Sequence, residues 1–167
     1  DGDNLAGTND EDGVASFPRL STIMASYAVN VVVRSPTGRA GTLVGWVDFN
    51  RNGTFEAAEG ASAAVAANSN GTTATLTWTG ITVPTAGTAY ARFRITDDAA
   101  LTTAAATGTL SDGEVEDYRV TIAQASADLS ISKTNTPSSG ATDLPSDTLG
   151  SGSQTVYDVV VRNDGLD

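Results

Sequence analysis

The chain has 167 residues, with 20 acidic side chains against 9 basic ones, a formal net charge of -11, and neither histidine nor cysteine. That balance excludes recognition of nucleic-acid phosphates or anionic lipid, which need basic patches. The missing residue types exclude imidazole acid–base catalysis, thiol chemistry, zinc and iron–sulfur sites, and disulfides. Metals are left with oxygen ligands, which means calcium or magnesium. No stretch approaches the ~20 apolar residues of a membrane span, so no membrane insertion is expected. The chain opens at Asp1 with no signal peptide, as expected of a processed product or a piece of a longer chain.

Residues 1–13 are acidic and glycine-rich and read as loop. Runs of period-two alternation follow, the mark of half-buried strands. Tyr27, Val29, Val31 and Val33 share one face of 27–34. In 42–49 both faces are apolar, as in a central strand covered on each side. Ala74, Leu76 and Trp78 oppose a row of threonines in 72–79, and Ala89, Ala91, Phe93 and Ile95 oppose Tyr90, Arg92 and Arg94 in 88–96. Asn70–Gly71 between 62–67 and 72–79 reads as a hairpin turn, because both residues tolerate positive φ. The alanine-rich stretches 56–67 and 97–106 leave a short helix open as the rival reading, weakened by Gly60 and the threonines. About seven short strands between turn signals predict an all-β fold, an antiparallel β-sandwich over residues 1–124. Residues 125–127 form a junction. Two more strands, 128–133 and 155–162, flank a Pro/Ser/Gly/Asp-rich loop, making 125–167 a two-stranded C-terminal segment too small to close a core of its own.

The sharpest motif is 48–59, which satisfies D-x-[DN]-x-[DN]-G-x5-E in full. Asp48, Asn50 and Asn52 alternate oxygens toward one centre, Gly53 takes the sharp turn, and Thr54 offers its carbonyl. Glu56 binds directly or through water, Glu59 closes the shell with two oxygens, and Phe55 is an apolar anchor. The expected cofactor is therefore Ca2+. The segment entering the loop reads as a strand, so this is an EF-like loop in a β context. With three carboxylates among the ligands, affinity should be modest, roughly 10⁻⁴–10⁻³ M. The bland alternative is an Asn/Gly-rich turn with solvated acids.

A second acidic constellation joins the opening loop to the last strand of the sandwich. If that strand buries Tyr118, Val120 and Ile122, parity turns Glu116 and Glu114 inward. An inward carboxylate needs a counter-charge. Arg92 or Arg94 would supply one as an ion pair; a second metal held by Asp10, Asp12 and Glu116, with Asp117 beside them, is the other reading.

The run Gly113-Glu114-Val115-Glu116-Asp117-Tyr118 resembles the name-giving motif of the GEVED family of bacterial surface domains. Further blocks agree in order: the acidic opening at 9–14, the tryptophan and calcium-type loop at 45–53, the late strand at 90–94, and the 106–108 and 111–113 turns. The resemblance covers about residues 1–123. Asn52 and Thr54 stand where the family often has acids. The tail, with 127–134 and 156–165, is similar to the opening half of an Ig-like repeat of bacterial surface proteins. These resemblances imply an extracellular, secreted or cell-surface location, structural or adhesive roles, and no reaction.

Three functions follow as expectations. The first is a non-enzymatic, calcium-stabilised structural module. An unfinished half-domain would fray unless its strand edges were paired, so the expected partner is a second copy, forming a homo-polymer by strand addition through residues 127–162. The alternative is a tail folded back on its own sandwich. The second function is an adhesin module binding glycans through calcium and a stacked Trp46 or Trp78, although both tryptophans fall in core patterns. The third, glycoside hydrolysis by paired carboxylates, is the only catalytic set available. Lys133 and Asn163 are candidates for an isopeptide bond, set against a solvated lysine. Asn52 and Asn70 head N-glycosylation patterns, a weak signal in a bacterial-type chain.

Overall fold

The computed structural model describes residues 13–35, 38–135, 151–152 and 156–165. The chain divides into two compact units, Asp1–Gln124 and Ala125–Asp167. The first contains β1 (Leu20–Ser21), β2 (Ser26–Arg34), β3 (Gly41–Val47), β4 (Gly60–Val65), β5 (Asn70–Thr79), β6 (Gly87–Thr96) and β7 (Glu114–Ala123). The second contains β8 (Leu129–Asn135) and β9 (Tyr157–Asn163). The fold is all-β, as the alternation predicts. The stretches 56–67 and 97–106 form no α-helix: the first holds a single 3-10 turn, Ala57–Glu59, before β4, and the second is a chain of turns. No helix among the described residues is long and apolar enough to cross a membrane.

Two sheets face each other in the first unit. One has the order β1-β7-β6-β3-β4; the other is the pair β2-β5. All pairings are antiparallel except that of the two-residue β1, which runs parallel to the end of β7. The strand β3 lies between β4 and β6 and is covered on both faces, which is why its sequence is largely apolar. Tyr27, Val29, Val31, Val33, Leu76 and Trp78 of one sheet meet Leu43, Val47, Ala91, Phe93, Val120 and Ile122 of the other in the main core.

A second, smaller core lies on the outer face of the larger sheet. There Val44 and Trp46 are covered by Leu101 and Ala106 of the 97–113 segment. Trp46 donates its indole N–H to the Thr103 carbonyl at 2.8 Å.

Asn70–Gly71 does not turn a hairpin. The chain reverses earlier, where Asn68 takes positive φ and Ser69 bonds back to Ala66, and β4 and β5 belong to different sheets. Gly71, at φ +71°, is the extra residue where the β2–β5 register slips between Val33 and Arg34, so its positive φ serves a bulge.

In the second unit β8 and β9 pair antiparallel, from Leu129 opposite Asn163 to Asn135 opposite Tyr157. Leu129 and Ile131 share a face with Val159 and Val161, and this apolar face is open: Leu129 is 70% and Ile131 72% exposed. Lys133 pairs with Val159 and lies over the Tyr157 ring at 4.0 Å, while Asn163 sits at the other end of the hairpin and accepts the Asp128 N–H. Four residue steps, roughly 13 Å, separate them. The geometry therefore rules out the isopeptide bond within this hairpin.

Gly45 marks the tightest point of the main core. A β-carbon there would lie 2.6 Å from Leu76 and 2.8 Å from Phe93. Gly45→Ala is expected to destabilise the first unit by about 1–3 kcal/mol through overpacking, read as a lower urea midpoint at unchanged slope.

Candidate calcium loop

The 48–59 segment leaves β3 and returns into β4, and the sandwich core grips both of its ends. Phe49 is buried and packs edge-on against Tyr27 and Trp78, with centroids 6.3 and 6.1 Å away. Trp78 also donates its indole N–H to the Glu59 carbonyl at 2.7 Å. Between these ends Phe55 leans on the outer core, with the Arg92 guanidinium 5.5 Å from its ring centre. Both tryptophans are buried and donate to carbonyls, so neither is a stacking platform for a sugar.

The loop's oxygens are held by donors of the loop itself. Asp48 is 3% exposed and its two oxygens accept the N–H groups of Asn52 and Gly53, each at 3.0 Å. Asn50 Oδ1 accepts from Asn52 N at 2.9 Å, and Asn52 Oδ1 from Thr54 N at 2.8 Å. Glu59 is 7% exposed; its oxygens accept from Asn50 N and Glu56 N, each at 3.3 Å. Glu56 accepts from the side chains of Asn50, Asn52 and Thr54. Gly53 makes the turn at φ +82°.

Asp48 and Glu59 are thus buried carboxylates held by amide dipoles, with no cationic side chain paired to them among the described residues. Burial lifts Glu59 to about 7, with the neighbouring Glu56 adding to the rise. Glu56 is held down at about 2 by its hydrogen bonds with Glu59 and Asn52. Among the described residues no three carboxylates form a compact metal cluster. A cation here would need the amide oxygens of Asn50 and Asn52 and the Thr54 carbonyl to complete its shell, which suits a hard ion with many oxygen ligands.

Arg51 was invisible to the motif, where it occupies an unspecified position. It has φ +60°, a left-handed conformation costing a non-glycine residue roughly 1–2 kcal/mol. Its guanidinium donates to Thr88 O at 3.0 Å, to Thr85 Oγ1 at 3.3 Å and to Ala86 O. Hydrogen bonds of this kind contribute about 0.5–1.5 kcal/mol each, enough together to offset that cost.

Of the second constellation's candidate metal ligands only Glu116 and Asp117 are described. Asp10 and Asp12 lie outside the described residues. Glu116 and Asp117, consecutive on β7, project to opposite faces, so one shell cannot take both. Glu116 is buried as parity predicts, whereas Glu114, at the strand's start, is exposed. The arginines do not reach Glu116, because they stand on the outer face. Glu116 is satisfied instead by Gly13 N at 3.2 Å and by the Tyr118 hydroxyl at 2.6 Å.

Arg92 forms a two-pronged pair with Asp117, at 2.7 and 2.6 Å, and donates to Ala106 O. Arg94 is buried and gives its Nη groups to the carbonyls of Ala105 and Gly108, so both arginines tie the 97–113 segment to the sheet.

Burial opposes ionisation of Asp117, but the bonded and charged Arg92 overcomes it and holds the carboxyl below the usual carboxylate range. A depressed folded-state value stabilises the fold above the unfolded value and ceases to do so as pH falls through the folded one. Asp117→Asn is expected to cost about 2 kcal/mol near pH 7. The two proteins should converge in stability once pH drops below the ordinary 3.8 and through the depressed value, as acid titration followed by circular dichroism would show.

Among known proteins, the GEVED domain family matches residues 42–121, a span from the start of β3 to near the end of β7 that takes in the whole oxygen loop. No curated protein and no solved structure matches the chain. Residues 42–121 of this chain are thus similar to the GEVED domain family.

Proposed function

We propose that the protein is a non-enzymatic structural module of a secreted or cell-surface bacterial protein, stiffened by a calcium ion in the 48–59 loop. The observation that carries this reading is the pair of buried carboxylates, Asp48 and Glu59, in a loop that the core clamps at both ends and that offers them no cationic side chain. Such groups are costly to bury unless a positive charge joins them. The alternating oxygens of Asn50, Asn52 and Thr54 supply the remaining ligands, with Glu56 at the ninth position.

Assembly into a fibre by strand addition is the second part of the proposal. Its support is the β8–β9 hairpin, which leaves one apolar face and both outer strand edges uncovered among the described residues. A two-stranded hairpin is marginal by itself, so an added strand from another copy gains both ladder bonds and apolar burial. The carbohydrate-binding alternative loses both tryptophans. What favours it is Tyr90, 53% exposed, which lines a cavity of about 170 Å³ with Asp48, Phe55 and Asp117.

Removing calcium with excess chelator should lower the melting temperature by roughly 1–6 °C relative to millimolar calcium. Asp48→Ala should melt like the chelated protein with or without calcium, whereas Asn70→Ala should keep the full response. An identical melt in chelator and calcium would remove the ion from this loop.

Deleting residues 125–167 should leave a folded, calcium-responsive first unit that stays monomeric in sedimentation. Fibres from that shortened protein would show that the hairpin is not the donor.

A further inference from the structure

Arg51 stands inside the oxygen loop yet points out of it. Its three hydrogen-bond partners, Thr85, Ala86 and Thr88, belong to the segment that enters β6. The receiving side is shaped for it: Gly87 has φ +131°, and a β-carbon there would lie 2.7 Å from the guanidinium carbon. The clamp therefore has two halves, an arginine in a left-handed turn and a glycine that leaves room for its head group. Arg51 lies between Asn50 and Asn52, two of the alternating ligands, so its backbone conformation sets how both project. A planar fork that reaches several fixed acceptors at once does this better than a flexible ammonium.

We propose that Arg51 is a positioning residue that couples the 48–59 loop to residues 85–88, so that order in one segment is transmitted to the other. The clamp stands on this geometry alone; its effect on an ion rests on the calcium reading above. With that ion bound, the coupling makes the start of β6 calcium-responsive although it supplies no ligand.

Two variants separate the side chain from the backbone. Arg51→Gly removes the guanidinium but keeps a residue that adopts positive φ freely. Gly87→Ala leaves Arg51 in place and fills its seat. Amide hydrogen exchange of residues 85–88 in the metal-free full chain should quicken about tenfold in both variants, and Arg51→Lys should not restore protection. In calcium titrations followed by calorimetry, half-saturation should move to about five- to tenfold higher calcium in both variants. Calcium should also slow exchange of 85–88 in the unaltered protein more than in Arg51→Gly.

Unchanged exchange at 85–88 in Arg51→Gly would overturn the proposal, as would an unchanged half-saturation point. If the unaltered protein takes up no calcium, the calcium reading fails, and exchange in the metal-free proteins alone decides the clamp. Quickened exchange supports it and unchanged exchange removes it.

Discussion

Trp78 is the side chain on which the site depends. Its ring packs against Tyr27 and Phe49 in the main core, and its indole N–H holds the Glu59 carbonyl. Phe49 is the second residue of the oxygen loop and Glu59 the last, so one core tryptophan fixes both ends of a twelve-residue excursion. The entropy of closing that loop is met by packing that the sandwich requires anyway. A loop ordered before it meets a ligand loses less on binding, which on the calcium reading proposed above offsets a modest set of three carboxylates and two amides.

Three of the nine basic residues of this acidic chain act as staples. Arg92 and Arg94 gather carbonyls from the 97–113 segment, and Arg51 gathers them from 85–88. The 97–113 carbonyls and that of Ala86 lie outside any strand, and a guanidinium carries enough donors in one plane to satisfy them. Arg92 does more, since it also pairs with Asp117 and covers Phe55. It links the calcium-type loop, the outer core and β7 at a single point. The Gly113–Tyr118 motif is divided by strand parity: Glu116 faces the inner core beside Gly13, and Asp117 faces this outer assembly.

What could be read from the letters differs from element to element. The alternation in β2, β5 and β6 was plain because one face of each is buried and the period of a strand is two. The oxygen loop was plain because its oxygen donors all lie within twelve consecutive positions. Of the two partners expected for Glu116, an arginine or a metal, the arginine is replaced by a backbone N–H and the Tyr118 hydroxyl. Charge suggested the arginine, but the choice depended on which face of the sheet each side chain occupies and on a backbone N–H more than a hundred residues away. Gly71 looked like a turn because a bulge and a hairpin ask for the same positive φ. The 97–113 cover over Trp46 left no periodic trace, because irregular backbone packs through single contacts such as the Thr103 carbonyl.

By itself, then, the sequence indicated the strands other than the short β1, the core pattern around both tryptophans and the run of oxygen donors, all properties of local pattern and residue chemistry. The tertiary structure alone decided which sheet each strand joins, which carboxylate meets Arg92, and that Arg51 reaches across to Gly87. Those outcomes depend on distances between segments far apart in the chain, and such distances exist only once two sheets have closed on a common core.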